Sequence, residues 1–197
     1  MSKIEEMEQL ARISKVGPIA RRYFAMNAFD GTLTVLGIIL ASHFASHFDA
    51  RAVVAAGIGA CLAMMFSGLA GTYLAEKAER ERELREMENA LLRNLDSTMY
   101  KRASRFAIII SSIVDGFAPF ITGLMLLVPF IFVLFNPTSW GIGVIVSVAT
   151  GFILLFLLGI FLGRVSEQNP WFYGLQTLAA GLGTAAAIIL LEIFLVF

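Results

Sequence analysis

Five long apolar stretches constrain this chain more than any other feature of its 197 residues. They cover residues 23–48, 52–75, 106–135, 140–163 and 172–197, and each could cross a hydrocarbon core of about 30 Å as a helix. Their apolar residues run continuously instead of alternating, which excludes the strands of a membrane barrel. With 58% hydrophobic residues and a mean hydropathy of +0.79, the chain is also too apolar for a single soluble core. We therefore predict an all-α, polytopic membrane protein with five transmembrane helices.

The basic residues are unevenly distributed among the segments that connect these spans. Five precede the first span, eight lie between the second and third, and Arg164 lies between the fourth and fifth, so 14 of the 15 fall on one side. The positive-inside rule places that side, with the N-terminus, in the cytoplasm and the C-terminus outside. Residues 1–22 and 76–105 are then cytoplasmic, and residues 23–75 and 106–197 hold helices 1–2 and 3–5. No cleavable signal is expected, and the short chain favours a prokaryotic cell membrane.

The composition excludes several other classes of function. Lys+Arg and Asp+Glu both number 15, and a net charge of zero argues against nucleic-acid binding, which needs clustered positive charge. The single cysteine, Cys61, excludes an internal disulfide and a CxxC metal site. No Walker sequence is present, so direct use of ATP is not expected.

An acidic helix is predicted directly after the second span. The stretch from Glu76 to Arg93 has neither glycine nor proline, so the span should continue into the cytoplasm as one helix. At about 100° per residue, four carboxylates share a stripe roughly 80° wide and a thioether flanks it, while Arg82 and Arg85 lie mostly elsewhere. The members of this acidic stripe are Glu76, Glu79, Glu83, Glu86 and, at its edge, Met87.

Two interpretations of the acidic stripe remain open. Carboxylates one turn apart repel each other, and a divalent transition metal bound by their oxygens and by Met87 would neutralise them. The alternative is a solvated helix stabilised by ion pairs between residues three and four apart. The N-terminal segment, which carries Glu5, Glu6 and Glu8, could supply further ligands, although its pattern is more typical of an amphipathic interfacial helix.

Two aspartates lie inside predicted spans, where ionisable groups usually mark a functional site. Asp30 and Asp115 fall roughly 12 and 15 Å from the cytoplasmic ends of their helices, so they could share one site. Each precedes a glycine, and Pro119 removes the helical donor of the Asp115 carbonyl, which a cation or water could replace. The alternative is a packing kink, with the aspartates bonded by nearby hydroxyls, namely those of Ser111, Ser112, Thr32 or Thr34.

Softer groups lie near these carboxylates along the second span. Cys61, Met65, Gly68 and Thr72 follow one helical face, and Met64 adjoins it. Methionine and cysteine on a membrane helix usually serve packing. Because two aspartates lie nearby, Met64 and Met65 are also candidate metal ligands. His43 and His47 could form an outer exit site or proton relay, or could be solvated at the interface. Glu192, near the end of the fifth span, could be solvated at the membrane interface or could take part in proton coupling.

Several of these segments resemble the vacuolar iron transporter family. They are FDGTLTVLGIILA on the first span, SGLAGTYLAEKAERERE at the end of the second, the proline-containing third span, and FLLGIFLGRVSEQNPWFYGL before the last. The resemblance covers most of the chain from Arg21 onward.

The resemblance implies a five-span homodimer that exports ferrous iron or manganese from the cytosol in exchange for protons. The family's first-span aspartate corresponds to Asp30, and its cytoplasmic glutamates correspond loosely to the acidic stripe. The family's metal-binding methionine falls on Gly68 and a glutamate of the family falls on Thr72, so Met64 or Met65 is the nearest substitute.

We therefore expect a transporter of Fe²⁺ or Mn²⁺ that moves the metal out of the cytosol by proton antiport, with the metal as substrate and no cofactor. Asp30 would be the main membrane site, and Asp115 the second carboxylate or proton carrier. Proton and metal would compete for the two carboxylates, which gives a physical basis for exchange. The alternative is a non-transporting membrane scaffold whose acidic helix docks a partner. An enzyme is not expected, because DGFAP at Asp115 resembles only faintly the DGxxAR start of lipid-head-group transferases and an ionisable residue in a span is its only support.

Overall fold

The computed structural model describes residues 3–44, 49–95, 98–136 and 139–196, with the backbone alone described at Lys3, Glu192, Leu195 and Val196. Six helices follow one another within these ranges. They are α1 (Lys3–Ser14), α2 (Val16–Phe44), α3 (Ala50–Leu91), α4 (Met99–Phe135), α5 (Trp140–Val165) and α6 (Pro170–Val196).

The predicted all-α architecture is confirmed. Among the described residues, five helices, α2 to α6, are long and apolar enough to span a membrane. The helices also extend beyond the predicted spans, because an α-helix does not end where its apolar residues end. Thus α2 begins at Val16 instead of residue 23, and α4 begins at Met99 instead of residue 106.

Helix α3 is the longest element of the chain. Its 42 residues run without interruption from Ala50 to Leu91, which corresponds to about 63 Å at 1.5 Å per residue. That length is about twice the hydrocarbon thickness of a bilayer. One helix therefore carries both the apolar second span and the whole acidic stripe.

Left-handed residues separate several of these helices. Lys15, Leu92 and Glu167 have φ values of 52°, 49° and 55°, and they follow the ends of α1, α3 and α5. A residue in this conformation cannot continue a right-handed helix, so the chain changes direction there. At the end of α5 the turn is closed by the Gln168 N–H, which donates to the Gly163 carbonyl at 3.0 Å.

The chain forms two compact units, each assembled from distant segments. Unit 1 comprises Met1–Phe24 and Met65–Phe117, and unit 2 comprises Ala25–Met64 and Ala118–Phe197. Within unit 2 the buried core includes Val35, Leu36, Ile39, Leu126 and Phe130, all fully buried. Cys61 is also buried there as a free thiol, in keeping with a packing role.

Small residues allow some helices to approach closely and leave others open. A side chain at Gly57 would meet Leu127, and one at Gly181 would meet Leu155, so these glycines serve packing within unit 2. At Gly59, Gly71 and Gly183, by contrast, an added Cβ would meet nothing within 4 Å.

Candidate functional site

A buried carboxylate marks the candidate site of unit 1. Asp115 on α4 is 5% exposed, although carboxylates are rarely buried without a partner. The hydroxyl of Thr72 on α3 donates a hydrogen bond to its Oδ2 at 2.5 Å. An intramembrane acid is thus held by a neutral donor from a neighbouring helix.

A glycine contact brings these two helices together. A Cβ added at Gly68 would lie 2.9 Å from the Cα of Gly116, so the backbones of α3 and α4 touch there. Thr72 follows Gly68 by one helical turn, and Asp115 precedes Gly116 directly. The close crossing is therefore what carries the Thr72 hydroxyl to the Asp115 carboxylate.

A second hydroxyl next to Asp115 is buried and unsatisfied. Ser111 precedes Asp115 by one turn on the same face of α4 and is fully buried. Within the described part of the chain its Oγ has no hydrogen-bond partner, which is rare for a buried polar atom. The neighbouring Ser112 hydroxyl, in contrast, donates to the Ile108 carbonyl at 2.6 Å. Ser111, Asp115 and Thr72 thus offer hard oxygen donors of the kind that suit a proton, a water or a metal ion.

Asp30 has a different environment in unit 2. It is exposed on α2, and it forms no ion pair with any residue that the structure describes. Gly31 directly after it packs against the backbone of Pro119, so any larger residue would be excluded. The Thr32 hydroxyl donates to the Ala28 carbonyl at 2.8 Å, which commits it to the backbone. Because Asp30 and Asp115 belong to different units, the prediction that they share one site stays a prediction.

The carboxylates of the acidic stripe are paired with arginines of the same helix. Arg80 lies 3.7 Å from both Glu76 and Glu83, and Arg82 lies 2.9 Å from Glu79 and 3.6 Å from Glu86. The helical projection puts Arg82 mostly outside the stripe, but its long side chain reaches carboxylates three residues before it and four after it. These contacts correspond to the ion-paired alternative.

Arg80 is the most buried member of this network. Its side chain is 11% exposed and that of Glu76 is 12% exposed. Glu76 also accepts a hydrogen bond from the Tyr23 hydroxyl at 3.0 Å, and Arg80 donates to the Ser14 carbonyl at 3.3 Å. Arg80 thus connects α3 to the end of α1, a role that the sequence analysis missed.

Part of the acidic stripe lines a cavity of about 640 Å³ in unit 1. Glu83, Glu86 and Met87 contribute to its wall, together with the basic residues Lys15 and Arg80. Glu76 and Glu79 do not line it. Nowhere in the described ranges do three or more His, Cys, Asp or Glu side chains form a group that could hold a metal ion. Glu6 of the N-terminal segment forms an ion pair with Arg102 of α4.

The remaining candidates divide between packing roles and undescribed positions. Met64 packs against the apolar core of unit 2, and Met65 approaches Gly116 through its backbone carbonyl. The Nδ1 atom of His43 accepts a hydrogen bond from the Trp140 indole at 3.2 Å. His47 lies outside the described residues, as does the side chain of Glu192.

Thr72 is a site residue that sequence reasoning placed on the correct face without assigning its role. The available signal was its spacing of one turn from Gly68, combined with an aspartate beside a glycine on α4.

Comparison with known proteins gives one archaeal relative. No family model matches the chain. The chain is 31% identical over 180 residues to the uncharacterized protein MJ0645 of Methanocaldococcus jannaschii. The matched region covers 89% of this chain and 90% of that protein. Since the match extends over nearly the full length of both chains, this protein belongs to the same family as MJ0645.

Proposed function

We propose that this protein is a divalent transition-metal transporter that moves Fe²⁺ or Mn²⁺ out of the cytosol in exchange for protons. The observation that carries the proposal is Asp30, an exposed carboxylate on an apolar helix with no ion pair among the described residues. A charge that faces lipid is costly, so Asp30 should face a water-filled path or a second copy of the chain.

The site around Asp115 supports a coupled proton step. Its carboxylate, the Thr72 hydroxyl and the unsatisfied Ser111 hydroxyl are all oxygen donors in a buried environment. Either a proton or a hard cation could satisfy this set, and the two would compete for it. Asp115 is therefore the proposed proton carrier or second metal ligand.

The same proposal gives the acidic stripe a role in metal capture. Glu83, Glu86 and Met87 line one cavity, and the positive-inside rule places it on the cytoplasmic side. A metal would have to displace Arg80 from Glu83, so capture by this cavity should be weak and reversible.

A homodimer in the cell membrane completes the proposal. The exposed Asp30 and the open glycines Gly59, Gly71 and Gly183 lie on surfaces that a second copy could cover. A path between two protomers would place two Asp30 side chains in one aqueous route.

Proteoliposomes containing a pH-sensitive dye test the transport proposal. We expect external Fe²⁺ or Mn²⁺ to enter and to drive proton movement in the opposite direction, at a rate above that of empty liposomes. Metal entry without proton movement would contradict antiport, and absence of entry for both metals would contradict transport.

The capture role is tested in the same assay with two double variants. We expect Glu83→Gln/Glu86→Gln to raise the half-saturating metal concentration, because both side chains line the cavity. The matched control is Glu81→Gln/Glu167→Gln, which removes the same charge from exposed positions outside both the cavity and the acidic stripe. Equal effects of the two variants would show that only bulk charge matters.

The ion pairs of the acidic stripe favour one second candidate, a non-transporting scaffold. The exposed face of α3 carries glutamates and arginines side by side. Charged groups of both signs on one surface could dock a partner with a complementary charge pattern. This alternative predicts no metal flux and no effect of Asp30→Asn on function.

A further inference from the structure

A positively charged cavity lies between the polar parts of α3 and α4 in unit 1. It measures about 630 Å³, and five basic residues and two acidic ones contribute to its wall. The basic residues are Lys77, Arg80, Arg85, Lys101 and Arg105, and the acidic ones are Glu81 and Glu88. The lining has a formal charge of three positive, and the Arg80 charge within it is already paired with Glu76 and Glu83, which lie outside the cavity.

Much of this charge is available to a ligand. Lys77 and Arg85 share the single carboxylate of Glu81 at 3.9 and 3.8 Å, and all three side chains are about half exposed or more. Exposed pairs of this kind are weak. Arg105 is exposed and forms no ion pair with the part of the chain that the structure describes. An anion would add a partner here without breaking a buried ion pair.

An apolar groove continues from this cavity along the same two helices. It measures about 500 Å³, and Tyr73 and Ile109 line both the groove and the cavity. Its other walls are almost entirely apolar, with Phe66, Leu69 and Leu74 from α3 and Ile113 from α4. On α3 these residues precede the basic ones, and on α4 Ile113 follows them. Along the chain, α3 therefore passes from apolar to charged residues and α4 from charged to apolar ones. Since both helices line the cavity and the groove, their charged parts lie together at the cavity and their apolar parts together at the groove.

We infer that the cavity and the groove together bind one anionic phospholipid, with its phosphate among the basic residues and an acyl chain along the groove. The arrangement matches an amphiphile, since the charged part lies where α3 and α4 leave their apolar segments. A soluble phosphate compound would leave the apolar groove unused. The inference depends on membrane insertion and not on metal transport.

Native mass spectrometry of the full chain in detergent tests this site. The probes are phosphatidylglycerol, phosphatidylcholine with the same acyl chains, and the soluble headgroup glycerol 3-phosphate. We expect phosphatidylglycerol to bind with a 1:1 stoichiometry per chain and at least about tenfold more tightly than phosphatidylcholine. Equal binding of the two lipids would overturn the proposal, as would glycerol 3-phosphate binding as tightly as phosphatidylglycerol.

Three double variants separate the site from general charge. Lys101→Gln/Arg105→Gln should weaken phosphatidylglycerol binding by about 30-fold, since each basic group near an anionic lipid contributes about fivefold. Arg93→Gln/Arg164→Gln removes the same charge outside the cavity and should change binding less than about twofold. Lys101→Arg/Arg105→Lys retains both charges and should bind as the wild type does. Equal loss in the first two variants, or loss in the charge-retaining one, would overturn the proposal.

The groove is tested separately by Ala70→Trp, which fills it from an exposed position on α3. We expect this variant to lose phosphatidylglycerol binding and to elute as the wild type does in size-exclusion chromatography. Retained binding by a folded Ala70→Trp protein would show that the acyl chain does not occupy the groove.

Discussion

The Thr72 hydroxyl donates a hydrogen bond to the buried Asp115 carboxylate in unit 1. Thr72→Val keeps the shape of the side chain and removes the donor, so Asp115 would lose this hydrogen bond. We expect the variant to be about 1–3 kcal/mol less stable than the wild type in denaturant unfolding in mixed micelles. Thr72→Ser retains the hydroxyl, so its loss of stability should be much smaller than that of Thr72→Val. Equal stability of the valine and serine variants would contradict a bonded role for Thr72.

Gly68 is required by the close approach of α3 to α4. Gly68→Ala would place a methyl group 2.9 Å from the Gly116 Cα, and a backbone atom cannot move aside as a flexible side chain can. We expect a loss of about 1–3 kcal/mol in the same unfolding measurement.

Gly71 provides the matched control on the same helix. An added Cβ there meets nothing within 4 Å, so Gly71→Ala should be neutral or slightly stabilising. If both alanine variants lost stability equally, the cause would be the helix itself and not the crossing.

At the residue scale, the sequence singles out Asp115 more readily than Thr72, the residue that donates a hydrogen bond to it. Asp115 stands out because it is an acid in an apolar span, whereas the hydroxyls considered for it were Ser111, Ser112, Thr32 and Thr34. Thr72, which donates to Asp115, is 43 positions away and reaches it because two glycines let the helices touch. That distance depends on how the helices cross, which a spacing pattern along one helix does not contain.

Among the elements, α3 carries both mostly buried and exposed ion pairs, and we expect only the mostly buried ones to contribute much to stability. Arg80 and Glu76 are 11% and 12% exposed, and removal of one member of such a buried pair leaves an uncompensated charge. We expect Arg80→Gln to destabilise the protein by about 3 kcal/mol and to loosen α1, which Arg80 contacts at the Ser14 carbonyl. Thermal unfolding and hydrogen exchange of residues 3–14 would measure the two effects.

Arg82→Gln is the control for this prediction. Arg82 is 66% exposed and pairs with Glu79 and Glu86, which are 54% and 69% exposed. Exposed pairs contribute between zero and about 1 kcal/mol, so this variant should change stability little. Similar losses in the two arginine variants would mean that burial does not distinguish them.

The existence of helix α3 could be predicted from the absence of breakers, but its ion pairs could not. A projection at about 100° per residue places each backbone position and ignores the reach of arginine. Arg82 therefore contacts two carboxylates from which the projection separated it. The sequence suggests the N-terminal segment as a further source of ligands for the acidic stripe, but it does not contain the contacts that hold α1 in unit 1, which are those of Glu6 with Arg102 and of Arg80 with Ser14.

For the whole molecule, five apolar helices follow directly from five apolar stretches, because lipid-sized hydrophobic runs have few alternatives. The division into two units does not follow from the sequence in the same way. Each unit joins segments from distant parts of the chain, and three long helices contribute to both. Asp30 and Asp115 consequently fall in different units, although their predicted depths are similar.

We propose Asp30 as the main metal site within the membrane, and metal flux in proteoliposomes tests this role most directly. Asp30→Asn keeps the size of the side chain and removes the charge on which cation binding depends. We predict that Fe²⁺ and Mn²⁺ entry falls to the level of empty liposomes, while the variant still elutes as the wild type does and Asp30→Glu retains part of the flux. Wild-type flux in the Asp30→Asn protein would contradict a metal-binding role for Asp30.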